Sequence, residues 1–115
     1  MQVEREIVFP ESPAELWEAL TEARRLEEWF ATEVELDPRP GGTGVFRWAD
    51  GEERRATVRE AAEQERLVLD WEDGGEVVLE LEEVEDGTLL RIVETSPEFA
   101  TALELRALAA WTPVA

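Results

Sequence analysis

SPAELWEALTEARRLEEWFATEVELDPRPGGTGVFRW, residues 12–48, changes its periodicity from helical to extended within one stretch. Ser12-Pro13-Ala14-Glu15 places a capping serine three residues before a glutamate, with a proline where the first helical turn needs no N–H. Leu16, Leu20 and Ala23, with Trp17 beside them, then fall at helical spacing. Leu26, Trp29 and Phe30 repeat that spacing on a second segment, so two short helices are predicted, each burying one face. After Phe30 the period becomes two, with Val34 and Leu36 alternating with acids. Asp37-Pro38-Arg39-Pro40-Gly41-Gly42 forbids helix and regular strand alike, and Val45-Phe46-Arg47-Trp48 opens the next strand.

Outward from this stretch the pattern stays that of strands. Val3, Arg5, Ile7 and Phe9 alternate with Glu4, Glu6 and Val8 in a first strand ending at Pro10. Asp50-Gly51 marks a tight turn before Arg54 to Arg59, where Ala56 and Val58 share a face. Arg66 to Trp71 is a further strand, Gly74-Gly75 a turn, and Val77, Leu79 and Leu81 alternate with glutamates in a half-buried strand. Asp86-Gly87 turns the chain into Thr88 to Thr95, with Leu90, Ile92 and Glu94 on one face. Ser96-Pro97 repeats the Ser-Pro start, and a last, short helix is predicted from about Glu98 to Trp111. The predicted order is strand, two helices, six antiparallel strands and one helix in a single α+β domain over residues 1–115.

Composition narrows the chemistry. The formal net charge of -18 leaves no attraction to nucleic acid or to an anionic membrane, so neither partner is expected. Arg24-Arg25 and Arg54-Arg55 sit among glutamates and read as charge-balanced surface. The chain has no Cys, His, Lys, Tyr or Asn. Thiolate and imidazole catalysis, the usual zinc-ligand sets, Schiff bases and a Walker lysine are therefore excluded, and acid–base work would fall to carboxylates. No cofactor or metal is expected. The glycines at 41, 42 and 44 precede a strand rather than a helix and read as a turn, not a phosphate cradle. Ser12 and Ser96 have no histidine partner and read as helix caps. With no cysteine and no apolar run long enough to span a bilayer, a cytoplasmic location is expected.

The order of elements, with the words LWEAL, RLEEWF, ELDPRPGG and RLVLDWE, resembles the bacterial homologues of the Hsp90-ATPase-activator C-terminal domain, within the START/Bet v 1-like superfamily. The resemblance implies a helix-grip fold: a curved antiparallel sheet of about seven strands wraps a C-terminal helix, and two short helices sit between strands 1 and 2. It also implies a cavity between sheet and helix that takes apolar ligands. Two departures stand out. Thr21-Glu22-Ala23-Arg24 lacks the proline common between the first two helices, so these are expected to join smoothly. The short last helix implies a cavity that is more open, smaller or closed by a partner.

The expected ligand-binding set is Trp29, Phe30, Phe46, Trp48, Trp71, Leu79, Leu81, Ile92, Glu94 and Leu103. The five tryptophans lie on five elements, and in a helix-grip fold several converge between sheet and helices. Trp17 belongs to the apolar stripe of the first helix, and Trp111 anchors the last one. For Trp29, Phe30, Trp48 and Trp71, core filling and cavity lining are both open. Glu94 shares a face with Leu90 and Ile92, where an acid is costly unless paired. It is either a polar anchor in an apolar pocket with a raised pKa, or an end-of-strand carboxylate that reaches water or pairs with an arginine such as Arg106. Glu60, on the Ala56/Val58 face, is a weaker candidate. The expected function is non-enzymatic binding of an apolar or amphipathic small molecule by a monomer or homodimer. A chaperone-associated interaction module is the alternative, and a carboxylate-based cyclase or hydrolase the third reading.

Overall fold

The computed structural model describes residues 2–95. The predicted last helix, with Leu103 and Trp111, lies outside the described residues.

β1 (Gln2–Phe9) leads through α1 (Pro13–Thr21) and α2 (Ala23–Trp29) into β2 (Glu33–Leu36), β3 (Thr43–Arg47), β4 (Glu53–Ala62), β5 (Arg66–Trp71), β6 (Glu76–Val84) and β7 (Gly87–Thr95). The strands form one curved antiparallel sheet in the order β1-β7-β6-β5-β4-β3-β2. Consecutive strands from β2 to β7 are hairpin neighbours, whereas β1 and β2 occupy opposite edges. The two helices carry the chain from one edge to the other, and their apolar side chains join those of the sheet's inner face in one core.

The predicted cap is present in both directions. Ser12 Oγ accepts from the Glu15 backbone N–H at 3.2 Å, and Glu15 Oε1 accepts from the Ser12 N–H at 3.3 Å. Leu16, Ala19 and Leu20 are buried on α1 and Leu26 on α2. The helices do not join smoothly. Glu22, at φ -83° and ψ 126°, is extended and separates them without a proline. Thr21 Oγ1 donates to the Trp17 carbonyl at 2.7 Å as α1 ends, and the break lets Trp29 Nε1 fold back to donate to the Ala19 carbonyl at 3.0 Å. Tertiary packing overrides the helix-forming propensity of this segment.

Alternation sorts most of the sheet, with Val68 buried between Leu67 and Leu69 as the exception. Leu90, Ile92 and Glu94 on β7, Leu79 and Leu81 on β6, Leu67, Leu69 and Trp71 on β5, and Phe46 on β3 are buried. The opposite face is laced with arginine–carboxylate pairs across neighbouring strands: Arg59 with Asp70, Arg66 with Glu60 and Glu80, Arg91 with Glu6, and Arg47 with Glu35 and Glu53. Such exposed pairs hold long side chains in place and contribute little stability each.

Two expectations on β4 are corrected. The register with β5 shifts between Val58 and Glu60, a bulge that turns Glu60 off the Ala56/Val58 face to meet Arg66 at 3.1 Å. Arg54 is not surface: it lies two residues before Ala56, on the inner face, and is 9% exposed.

Candidate functional site

A cavity of about 70 Å³ lies between the inner face and the two short helices. Its sheet wall is built from Phe46, Leu67, Leu69, Trp71, Val77, Leu79 and Ile92, and its helix side from Leu20, Leu26, Trp29 and Phe30. Leu36 and Glu94 complete it. Period-two alternation explains the sheet wall: Leu67, Leu69 and Trp71 are alternate residues, as are Val77 and Leu79, and Ile92 and Glu94.

The aromatic side chains form a connected cluster. Phe30 stands edge-on to Phe46 at 5.4 Å between ring centroids and to Trp48 at 5.3 Å, and Phe46 stands edge-on to Trp71 at 5.5 Å. Trp29 is tilted against Phe30 at 5.4 Å. These tilted and edge-on geometries match ring quadrupoles and fix one wall of the cavity.

Of the expected set, Trp29, Phe30, Phe46, Trp71, Leu79, Ile92 and Glu94 line the cavity. Trp48 and Leu81 do not. Trp48 sits just past the end of β3, behind Phe30, whose carbonyl accepts from its Nε1 at 2.8 Å. Leu81 is core on the inner face, one alternation beyond Leu79 and past the end of the cavity. Trp17 packs against the core from α1.

Glu94 is the only titratable side chain in the cavity wall among the described residues. It is 1% exposed, and its cross-strand neighbours, Val3 on β1 and Val77 on β6, are both apolar. Burial pushes its carboxyl up to about 7, opposed by the positive charge of Arg54 and assisted by the negative charge of Asp73. The strand therefore does not fray at this position.

Arg54 was missed by sequence reasoning. Its guanidinium carbon stacks 4.1 Å from the centroid of the Trp71 ring, and its Nη2 meets Asp73 Oδ2 at 2.9 Å. The signal was there: the alternation that sets Ala56 and Val58 inward also sets Arg54 inward. No cluster of three or more potential metal ligands occurs among the described residues. None of their helices is long and apolar enough to cross a membrane.

Comparison with known proteins agrees with this architecture. The family model described as Activator of Hsp90 ATPase homolog 1-like protein matches residues 11–112. The chain belongs to that family. Among solved structures, the Hsp90-activator-homologue-like chain is similar to protein MLL2253 from Mesorhizobium loti, at TM-score 0.81 and 20% identity over 94% of this chain and 93% of that one. It is similar to the Aha1 dimer from Colwellia psychrerythraea at TM-score 0.83 and 19% identity, covering 95% of this chain and 89% of that one. A protein from Rhodobacter sphaeroides is 26% identical at TM-score 0.72, with 95% and 88% covered. No curated protein sequence matches significantly. Family membership carries the START/Bet v 1-like fold.

Proposed function

We propose that this chain is a non-enzymatic binding domain that takes a small apolar or amphipathic molecule between the sheet and the helices. The observation that carries the reading is an aromatic and aliphatic cavity wall with the Glu94 carboxyl as the one titratable group among the described residues. Concave, mostly apolar sites with few polar groups are what small-molecule sites look like. The cavity volume is below the roughly 150 Å³ that accommodates a benzene-sized guest, so binding requires side chains to yield. Trp29 and Phe30 are the natural ones: they are half-buried at the end of a seven-residue helix whose start has no side-chain cap. We place this role in the cytoplasm, in keeping with a chain that contains no cysteine.

A screen of chemically diverse apolar compounds by tryptophan fluorescence and thermal shift tests the proposal. A subset is expected to raise the melting temperature and change the emission. No response from any class would refute it.

A second reading is favoured by the family description, which names an Hsp90 ATPase, and by the acidic surface. In it the domain docks on a basic surface of a chaperone through complementary charge. Its mark is chaperone binding that weakens when exposed acids such as Glu82, Glu83 and Glu85 are neutralised and persists when the cavity is blocked. Chaperone binding insensitive to that neutralisation would count against it.

A further inference from the structure

Three buried side-chain polar atoms lack a hydrogen-bond partner among the described residues: Glu11 Oε1, Trp71 Nε1 and Glu94 Oε1. Glu11 lies outside the cavity, but Trp71 and Glu94 both belong to its wall. Native proteins leave few such atoms, because each costs the full desolvation of a polar group. Two in the wall of one small apolar cavity, on β5 and β7 with only β6 between, are the groups that the polar end of a ligand would meet.

We infer that the polar end of the ligand is a neutral hydroxyl, carried on a compact apolar body. This rests on the binding reading above and deepens it. The indole N–H is a donor only, so the ligand must offer an acceptor there. Glu94 Oε1 calls for a donor when the carboxyl is ionised and takes either role when it is protonated. A hydroxyl is the smallest group that is both donor and acceptor. An ammonium group answers Glu94 and leaves Trp71 unanswered. A carboxylate answers Trp71 and is repelled by an ionised Glu94, while the nearby guanidinium of Arg54 is engaged with Asp73.

The test uses four probes with one apolar body: p-cresol, toluene, 4-methylbenzylamine and p-toluate. Each is titrated at pH 7 into the full chain, its indole N–H resonances followed by NMR. p-Cresol is expected to bind about tenfold more tightly than toluene, and more tightly than either charged probe. That advantage, read as the ratio of p-cresol to toluene affinity within each protein, should shrink to about twofold or less in Glu94→Leu and fall in Trp71→Phe. Equal affinities for p-cresol and toluene, or tightest binding of the amine or the acid, would overturn the hydroxyl assignment and leave apolar binding standing. Failure of all four, toluene included, would overturn both. An advantage unchanged in both variants would place the hydroxyl elsewhere.

Discussion

Replacing Glu94 with Gln removes one titration from the folded state and leaves the shape of the cavity wall nearly unchanged. In the wild type the folded carboxyl titrates near 7, against 4.5 for the ordinary group. Between those values the folded chain holds a proton that the unfolded chain has released, so stability falls as pH rises. It is highest below about 4.5 and fully lost above about 7, the opposite of a salt-bridged acid. Integrated from pH 5 to pH 8, this one group should cost the wild type about 2 to 3 kcal/mol relative to Glu94→Gln. The charges facing Glu94 set the size of the effect. Arg54 reduces it and Asp73 adds to it. Urea unfolding of both proteins across that pH range, followed by circular dichroism, isolates the group because every other acid is common to both. A stability difference that stays flat from pH 5 to pH 8 would refute the reasoning, since it would mean that the folded carboxylate pays no penalty for burial.

Three further outcomes follow from the same structure. Arg54→Met removes the cation that opposes protonation, so the Glu94 carboxyl midpoint, read by carbon NMR, should move further up; a downward shift would contradict the assigned charge effect. Gly42→Ala would drive a Cβ into the Asp37 backbone carbonyl beside β3, and should destabilise the chain by more than about 1 kcal/mol in denaturant unfolding. Ser12→Ala breaks the reciprocal cap of α1 and should cost about 1 kcal/mol in the same assay, with no change at the cavity.

Much of the architecture was legible because it rests on local chemistry. The capping box placed the start of α1, Pro and Gly marked the loop before β3, and period two placed the strands and the inner faces of β6 and β7. What escaped were features set by packing between elements. The break at Glu22 has no proline, and it brings the Trp29 indole to the Ala19 carbonyl, a contact between residues that helical spacing alone does not pair. The bulge near Arg59 reverses the face of Glu60, because one extra residue inverts every later side chain on a strand. Trp48 and Leu81 show a different limit: alternation says which face a residue is on, not how far along the sheet a cavity extends. Arg54 was legible and was set aside because of its charge. Its place on the inner face is tolerated because the guanidinium stacks on Trp71 and meets Asp73.

The central claim is that the space between sheet and short helices accepts an apolar molecule. Nitrogen-15 indole spectra recorded during a titration with toluene test it most directly, because the tryptophans report from different places. The account predicts saturable shifts at Trp71 and Trp29, which line the cavity, with the Trp17 signal unmoved. Indole signals unchanged at the solubility limit of toluene, or a response confined to Trp17, would contradict it.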